Sequence, residues 1–382
     1  MGSLHDNVAT FCGDYILNKI RIGDSDFKQI FSSNIIRSGD WDWPRPDYIC
    51  YDEDLQCTYA LEFKPTAQSK REYLTGLGQS LSYLQKHTYS GLIVPYYADD
   101  GFRIADFICD TLSSLEFDNV STSLYTYDLS KREVKILKPI KSIRIATAIH
   151  AAKVIEPKTF WCWWRDLSHF ELYTLLNLSF IYNDMRGDIY TKYIYPEFYK
   201  MMVDGNTQQW DGSPRNKKGS PSSYKSEKQN YKIPLSQLEL WNNSDCRLTD
   251  LGFRLLEIGK KYGPNSNIFI NTLAYLILVN GKHLDLINII DKFQTGSMPQ
   301  KSKDYLLKVE EYLTVEGCIG KRKPTAVKTN AKGTYLRDEP KLWNKLGLLK
   351  SKSNTYFVPN VGYEFNWGRI TDILINTEPL LK

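Results

Sequence analysis

The chain has 382 residues, 42% of them hydrophobic, 13% aromatic and 24% charged, which allows two or three domains with real cores and excludes a disordered or collagen-like polymer. Its formal charge of +5 is unevenly spread: residues 1–199 hold 21 Lys and Arg against 26 Asp and Glu, whereas 200–382 hold 28 against 18. A basic half suits a polyanion, because each phosphate neutralised by Lys or Arg releases condensed counterions.

Residues 10–37 predict one or two helices, broken near Gly23 and Gly39. Tyr48 to Tyr51 and Cys57 to Phe63 are β-prone runs on either side of the turn-forming Asp52-Glu53-Asp54, which predicts a hairpin. Ser69 with Glu72 three residues later forms a capping box for a helix over Lys70 to Lys86. A strand over Gly91 to Tyr97, a helix over 100–115 and a strand pair, Ser123 to Tyr127 and Val134 to Leu137, complete a compact α/β unit near residue 140. The apolar stretch 159–180 predicts a core helix; its Trp161, Trp163 and Trp164 could instead line a base-stacking pocket. Residues 203–230, rich in Gly, Ser, Asn, Pro and Lys, predict a flexible loop or linker. Beyond it come helices at Leu248 to Lys261, Ile268 to Val279 and Lys303 to Glu316, a basic Lys-Arg-Lys-Pro stretch, two strands around Asn360 to Gly362, and a short final helix.

Several chemistries are excluded by what the sequence lacks. Seven scattered Cys, never spaced C-x-x-C, and five dispersed His argue against zinc ribbons and a disulfide framework, and for a reducing cytoplasm. There is no phosphate-binding G-x-x-x-x-G-K-[ST] loop, so no nucleotide cofactor is expected. No apolar run reaches the ~18 residues of a membrane helix, and no leader pattern opens the chain, so no membrane contact is expected.

The strongest chemical signal is Asp47 followed fifteen residues later by Glu62-Phe63-Lys64. Strand alternation puts Glu62 and Lys64 on one face, and the hairpin turn brings Asp47 back beside them. Two carboxylates are hard oxygen ligands suited to Mg²⁺, which is often held by one or two carboxylates plus substrate phosphate oxygens. Such an ion assists phosphodiester cleavage, and an adjacent Lys stabilises the developing charge. The bare [DE]-x-K pattern also occurs at 26–28, 133–135, 156–158 and 339–341, but the last two contain proline inside the motif. Only the 47/62/64 set combines an upstream Asp, an apolar strand and a helix behind it.

This arrangement resembles the PD-(D/E)XK nuclease superfamily, and Gln79-Ser80-Leu81-Ser82-Tyr83 is similar to the Q-x-x-x-Y helix motif of its RecB-type branch. The resemblance covers roughly residues 40–100. It implies Asp47 and Glu62 as metal ligands, Lys64 as the catalytic lysine, and Gln79 and Tyr83 as residues that support the site or touch the DNA backbone. An acidic residue on the first helix is common in that superfamily, and Asp14 is the available one. In the basic half, Leu248-Thr249-Asp250-Leu251-Gly252 resembles an element that opens a helix in winged-helix DNA-binding domains, with the final strand pair as its wing. That resemblance implies phosphate contacts from Lys217, Lys218, Lys321, Arg322 and Lys323.

The expectation is therefore an α/β protein: a mixed-sheet nuclease core over 1–150, a helical connection and flexible loop over 151–230, and a basic α+β winged-helix-like domain over 231–382. The function expected is that of a Mg²⁺-dependent type II restriction endonuclease, a homodimer acting on double-stranded DNA. A structure-specific repair nuclease and a non-enzymatic DNA-binding regulator are the rival expectations.

Overall fold

The computed structural model describes residues 2–40, 44–114, 121–141, 159–165, 167–217, 219–242, 245–320, 336, 338–350 and 356–381. The chain divides into two compact units, residues 1–160 with 314–322, and 161–313 with 323–382.

The first unit is built on one six-stranded mixed sheet whose spatial order follows the sequence, β1 (Ile35–Ser38), β2 (Tyr48–Asp52), β3 (Cys57–Phe63), β4 (Tyr89–Pro95), β5 (Thr122–Asp128) and β6 (Glu133–Lys138). β1 to β3 form an antiparallel meander, β3, β4 and β5 run parallel, and β6 returns antiparallel. Each parallel step needs a crossover, supplied by α2 (Lys70–Tyr83) between β3 and β4 and by α3 (Ile104–Ser114) between β4 and β5. Helix α1 (Gly2–Arg21) covers the opposite face, burying Ala9, Cys12, Ile16 and Ile20 at helical spacing against Tyr48, Cys50, Tyr59, Leu61 and Phe63. Tyr73 and Leu77 of α2 pack with Leu92, Val94 and Leu124 and with Ile104 and Ile108 of α3. Helices thus lie on both faces, and β3 and β4 are buried along their whole length.

The hairpin, α2, α3 and the strand pair stand where the pattern predicts them, with shifts of a few residues. Three expectations need correction. The segment 10–37 is helical only as far as Arg21, with the break falling near Gly23 as expected, but α1 begins earlier, at Gly2, and Ile35–Ser38 is a strand paired with β2. The Ser69 side chain makes no capping hydrogen bond, and α2 stops at Tyr83. The short segment Thr314–Arg322 belongs to this unit: Gly317 O accepts from Arg37 N at 2.5 Å, beside the outer edge of β1, and Cys318 is buried.

The second unit is helical: α4 (His169–Ile181), a π-turn at Tyr190–Ile194, α5 (Tyr195–Val203), α6 (Pro221–Gln237), α7 (Asp250–Tyr262), α8 (Asn267–Leu278), α9 (His283–Phe293), α10 (Ser302–Val315), α11 (Glu339–Lys345) and α12 (Trp367–Leu381), with a two-stranded ribbon, β7 (Phe357–Val358) and β8 (Gly362–Tyr363). Residues 159–165 are irregular rather than helical, with Trp161 and Trp164 buried and Trp163 partly exposed. The segment 203–230 is not a flexible linker throughout. Ser220 caps α6, which starts at Pro221, and Arg215 forms an ion pair with Glu171, a fully buried carboxylate that also closes the capping box of α4 with Ser168. Leu248 to Gly252 owes its pattern to local packing. The Thr249 side chain accepts from Gly252 N at 3.1 Å, and a Cβ on Gly252 would collide with the Leu240 carbonyl. Among the described residues no single helix is long and apolar enough to cross a membrane.

Candidate functional site

The register explains why the separated acidic positions converge. The last β2–β3 pair is Tyr48 with Leu61, so one further step sets Asp47 opposite Glu62. Asp47 Oδ2 accepts from Phe63 N at 2.8 Å, which fixes its carboxylate at the end of the ladder. Glu62 and Lys64 lie on the α2 face of β3, while Leu61 and Phe63 point into the α1 core.

Lys64 Nζ is held between two oxygens, Glu62 Oε1 at 2.9 Å and Gln79 Oε1 at 2.8 Å. The other Glu62 oxygen accepts from the Tyr83 hydroxyl, which also reaches Arg45 O at 3.3 Å. Gln79 and Tyr83, four apart on α2, therefore grip the ammonium and the carboxylate from one helix face. The fit between α2 and β3 depends on Gly76: a Cβ there would come within 2.6 Å of Lys64 Cε. Gly78, two residues on, has nothing within 4 Å. Of the two glycines, only Gly76 is explained by close approach to the sheet.

Glu62 is 4% exposed and Lys64 8%, whereas the Asp47 side chain is 24% exposed and Gln79 is half-buried. Burial, and then the charge of Asp47, push the Glu62 carboxyl up to about 7, against the lowering pull of Lys64 and Tyr83. Behind Tyr83 lies His87, 2% exposed, which burial lowers to about 4.

Two further groups reach this cluster without having been marked by the sequence. His5, in the first turns of α1, places Nε2 3.3 Å from Phe63 O and 3.9 Å from Asp47 Oδ2, and its Nδ1 lies 3.4 Å from Asp6 Oδ1. The Asp6 hydrogen bond raises the His5 pKa, and Asp47 adds to it against burial. Asp14, the acidic residue expected from the first helix, accepts instead from the Tyr48 hydroxyl at 2.6 Å and faces Arg37 at 3.6 Å. It stands about 13 Å further along the helix axis than His5.

The remaining sites separate as follows. Tyr83 is buried, with its hydroxyl donating to Glu62. Lys217 is paired with Glu227 and donates to Tyr231 at 3.2 Å. Lys218, Lys321, Arg322 and Lys323 lie outside the described residues.

Asp47 and Glu62 offer hard oxygen donors, and a divalent cation between them would offset both the burial and the neighbouring Asp47 charge that raise the Glu62 carboxyl. The donor set thus fits Mg²⁺, although among the described residues no group of three His, Cys, Asp or Glu side chains is gathered as a metal cage. No protein-family profile matches this chain, and a comparison with curated proteins finds no match.

Proposed function

We propose that the protein is a Mg²⁺-dependent endonuclease acting on double-stranded DNA, most like a type II restriction enzyme, with the first unit cutting and the basic second unit selecting DNA. One observation carries this reading: Asp47, Glu62, Lys64, Gln79 and Tyr83 come together at one end of a mixed sheet through named hydrogen bonds.

Asp47 and Glu62 would hold Mg²⁺, which supplies charge neutralisation at the phosphate and acidifies water for attack. Lys64 places a cation where negative charge grows on the phosphate, and Gln79 fixes its direction by accepting from Nζ. Tyr83 holds the Glu62 carboxylate in place by donation. His5, carrying a raised pKa beside Asp47, orders the exposed side of the cluster. Cutting both strands calls for two such sites, hence a homodimer.

The test is incubation of the full chain with plasmid DNA in Mg²⁺, with fragment ends sequenced. The proposal expects discrete products that EDTA, Lys64→Ala and Glu62→Gln each abolish. Cleavage that survives in both variants would show that another site does the work, and no cleavage of any duplex would remove the enzymatic reading.

A further inference from the structure

The second unit carries a face on which positive charge outweighs its acidic neighbours. Helix α6 presents Lys225, Lys228 and Lys232 at successive spacings of three and four, so the three side chains share one side of the helix. The helix itself is firmly held. Hydroxyls of Tyr190, Tyr195 and Tyr199, from the π-turn and α5, donate to the main-chain oxygens of Lys228, Tyr224 and Ser220. The π-turn adds Lys192, whose ammonium lies over Gly187, 3.3 Å from where a Cβ would stand. Next to it the Thr191 hydroxyl accepts from Lys228 Nζ at 2.6 Å, which joins the π-turn to the α6 row. Arg186, just before that glycine, is exposed.

The acidic groups nearby are few and mostly engaged. Glu227, the one acidic residue of α6, is paired with Lys217, and Glu197 accepts from the Tyr182 hydroxyl. Asp188 accepts from Thr191 N at 2.9 Å and is acted on by the charges of Lys232 and Lys228. Asp184 is exposed. Five cations thus stand against two carboxylates, Asp184 and Asp188. Lys228 and Lys232 also touch Thr191 and Cys246, but among the described residues Lys192 and Lys225 make no hydrogen bond or ion pair.

Resting on the reading of DNA as substrate, we infer that this face grips the phosphate backbone of the duplex. At about 1.5 Å of rise per residue, Lys225 to Lys232 span about 10 Å of helix axis, and about 10 Å of duplex presents roughly three phosphates on each strand. Three ammonium groups in a row match that spacing, and each contact releases a condensed counterion. Lysine meets phosphate as a point charge, so the grip is indifferent to base sequence.

Fluorescence anisotropy of the full chain with a labelled duplex in EDTA tests it, over a series of NaCl concentrations and on two unrelated sequences. Lys192→Ala/Lys225→Ala removes the two cations that hold nothing else, so the fold is left intact. It should lower the slope of log K against log[NaCl] by about 2 and weaken binding roughly 10- to 100-fold at about 0.1 M, by the same factor on both sequences. Lys301→Ala/Lys303→Ala, which removes two exposed lysines elsewhere in the same unit, should leave the slope unchanged. An unaltered slope in the first variant, an equal loss in the second, or tighter binding of duplex RNA would overturn the inference. Cleavage is read separately in Mg²⁺. Binding with the expected slopes but without cutting removes the enzymatic reading alone, cutting with an unaltered slope removes this face alone, and a wild type that binds no duplex removes both.

Discussion

Gly76→Ala isolates the packing that positions Lys64. Alanine in a helix interior gains about 1 kcal/mol over glycine, while forcing a methyl into a filled space costs about 1–3 kcal/mol. At Gly76 the new Cβ would stand 2.6 Å from Lys64 Cε, 2.8 Å from Cγ and 3.2 Å from Leu92 Cδ1, so the flexible lysine stem yields first. The net stability change should then be small, a loss of about 0–2 kcal/mol, while Nζ leaves Glu62 and Gln79. Cleavage should fall roughly 10²–10³-fold, the usual cost of losing one donor to a developing charge. Gly78→Ala is the matched control: with nothing within 4 Å of the new methyl, it should keep full cleavage and raise the melting temperature of this unit by about 2–4 °C. Plasmid cleavage and thermal unfolding of the two purified variants decide the matter. Wild-type cleavage by Gly76→Ala, or equal loss in both variants, would refute the argument that this close approach places the ammonium.

Three other outcomes are expected. Arg215→Ala leaves the fully buried Glu171 carboxylate without its cation and should cost about 3–5 kcal/mol in urea unfolding; a loss under about 1 kcal/mol would mean that Thr207 and the capping box suffice. Thr249→Ala removes the α7 cap and should cost about 1–2 kcal/mol, while Asp250→Ala, next in the same motif, should cost less. The third concerns two buried groups of the second unit that oppose each other in pH. His283 accepts the Trp343 indole N–H at Nδ1 and donates from Nε2 to Cys162 O, and burial lowers it from 6.5 to about 4. Its contribution is present above pH 6.5 and lost as pH falls through about 4. Burial raises Glu339 from 4.5 to about 7, so its contribution is present below pH 4.5 and lost as pH rises through about 7. The slopes cancel between, and Glu339→Gln should unmask stability that climbs from pH 4.5 to 6.5 by up to about 1.4 kcal/mol per pH unit. Urea midpoints across that range that match wild type would rule this out.

The site was legible where local pattern and ladder register suffice. Two β-prone runs around Asp52-Glu53-Asp54 define the hairpin, and the hairpin alone brings Asp47 to Glu62 and Lys64. Gln79 and Tyr83 share a helix face by spacing, so their joint arrival at Lys64 and Glu62 also follows from the sequence. What escaped is tertiary. Ile35–Ser38 holds four residues that read equally as a helix end and become a strand only by pairing with β2. His5 and Asp6 reach the cluster because α1 crosses the sheet at one angle, which no local periodicity encodes. The composition of 203–230 suggests a linker, and one buried carboxylate, Glu171, anchors part of it through Arg215 and Thr207.

The return of Thr314–Arg322 to the first unit bears on how the molecule is made. As the chain leaves the ribosome, the sheet and its helices are complete by residue 160, but the amide of Arg37 waits for Gly317. At about 5–20 residues per second that interval lasts on the order of ten to thirty seconds. During it the outer edge of β1 is a nascent strand with an unpaired donor, the kind of surface that recruits foreign strands. Fragments truncated before residue 314 keep that edge permanently and should aggregate more readily than the full chain.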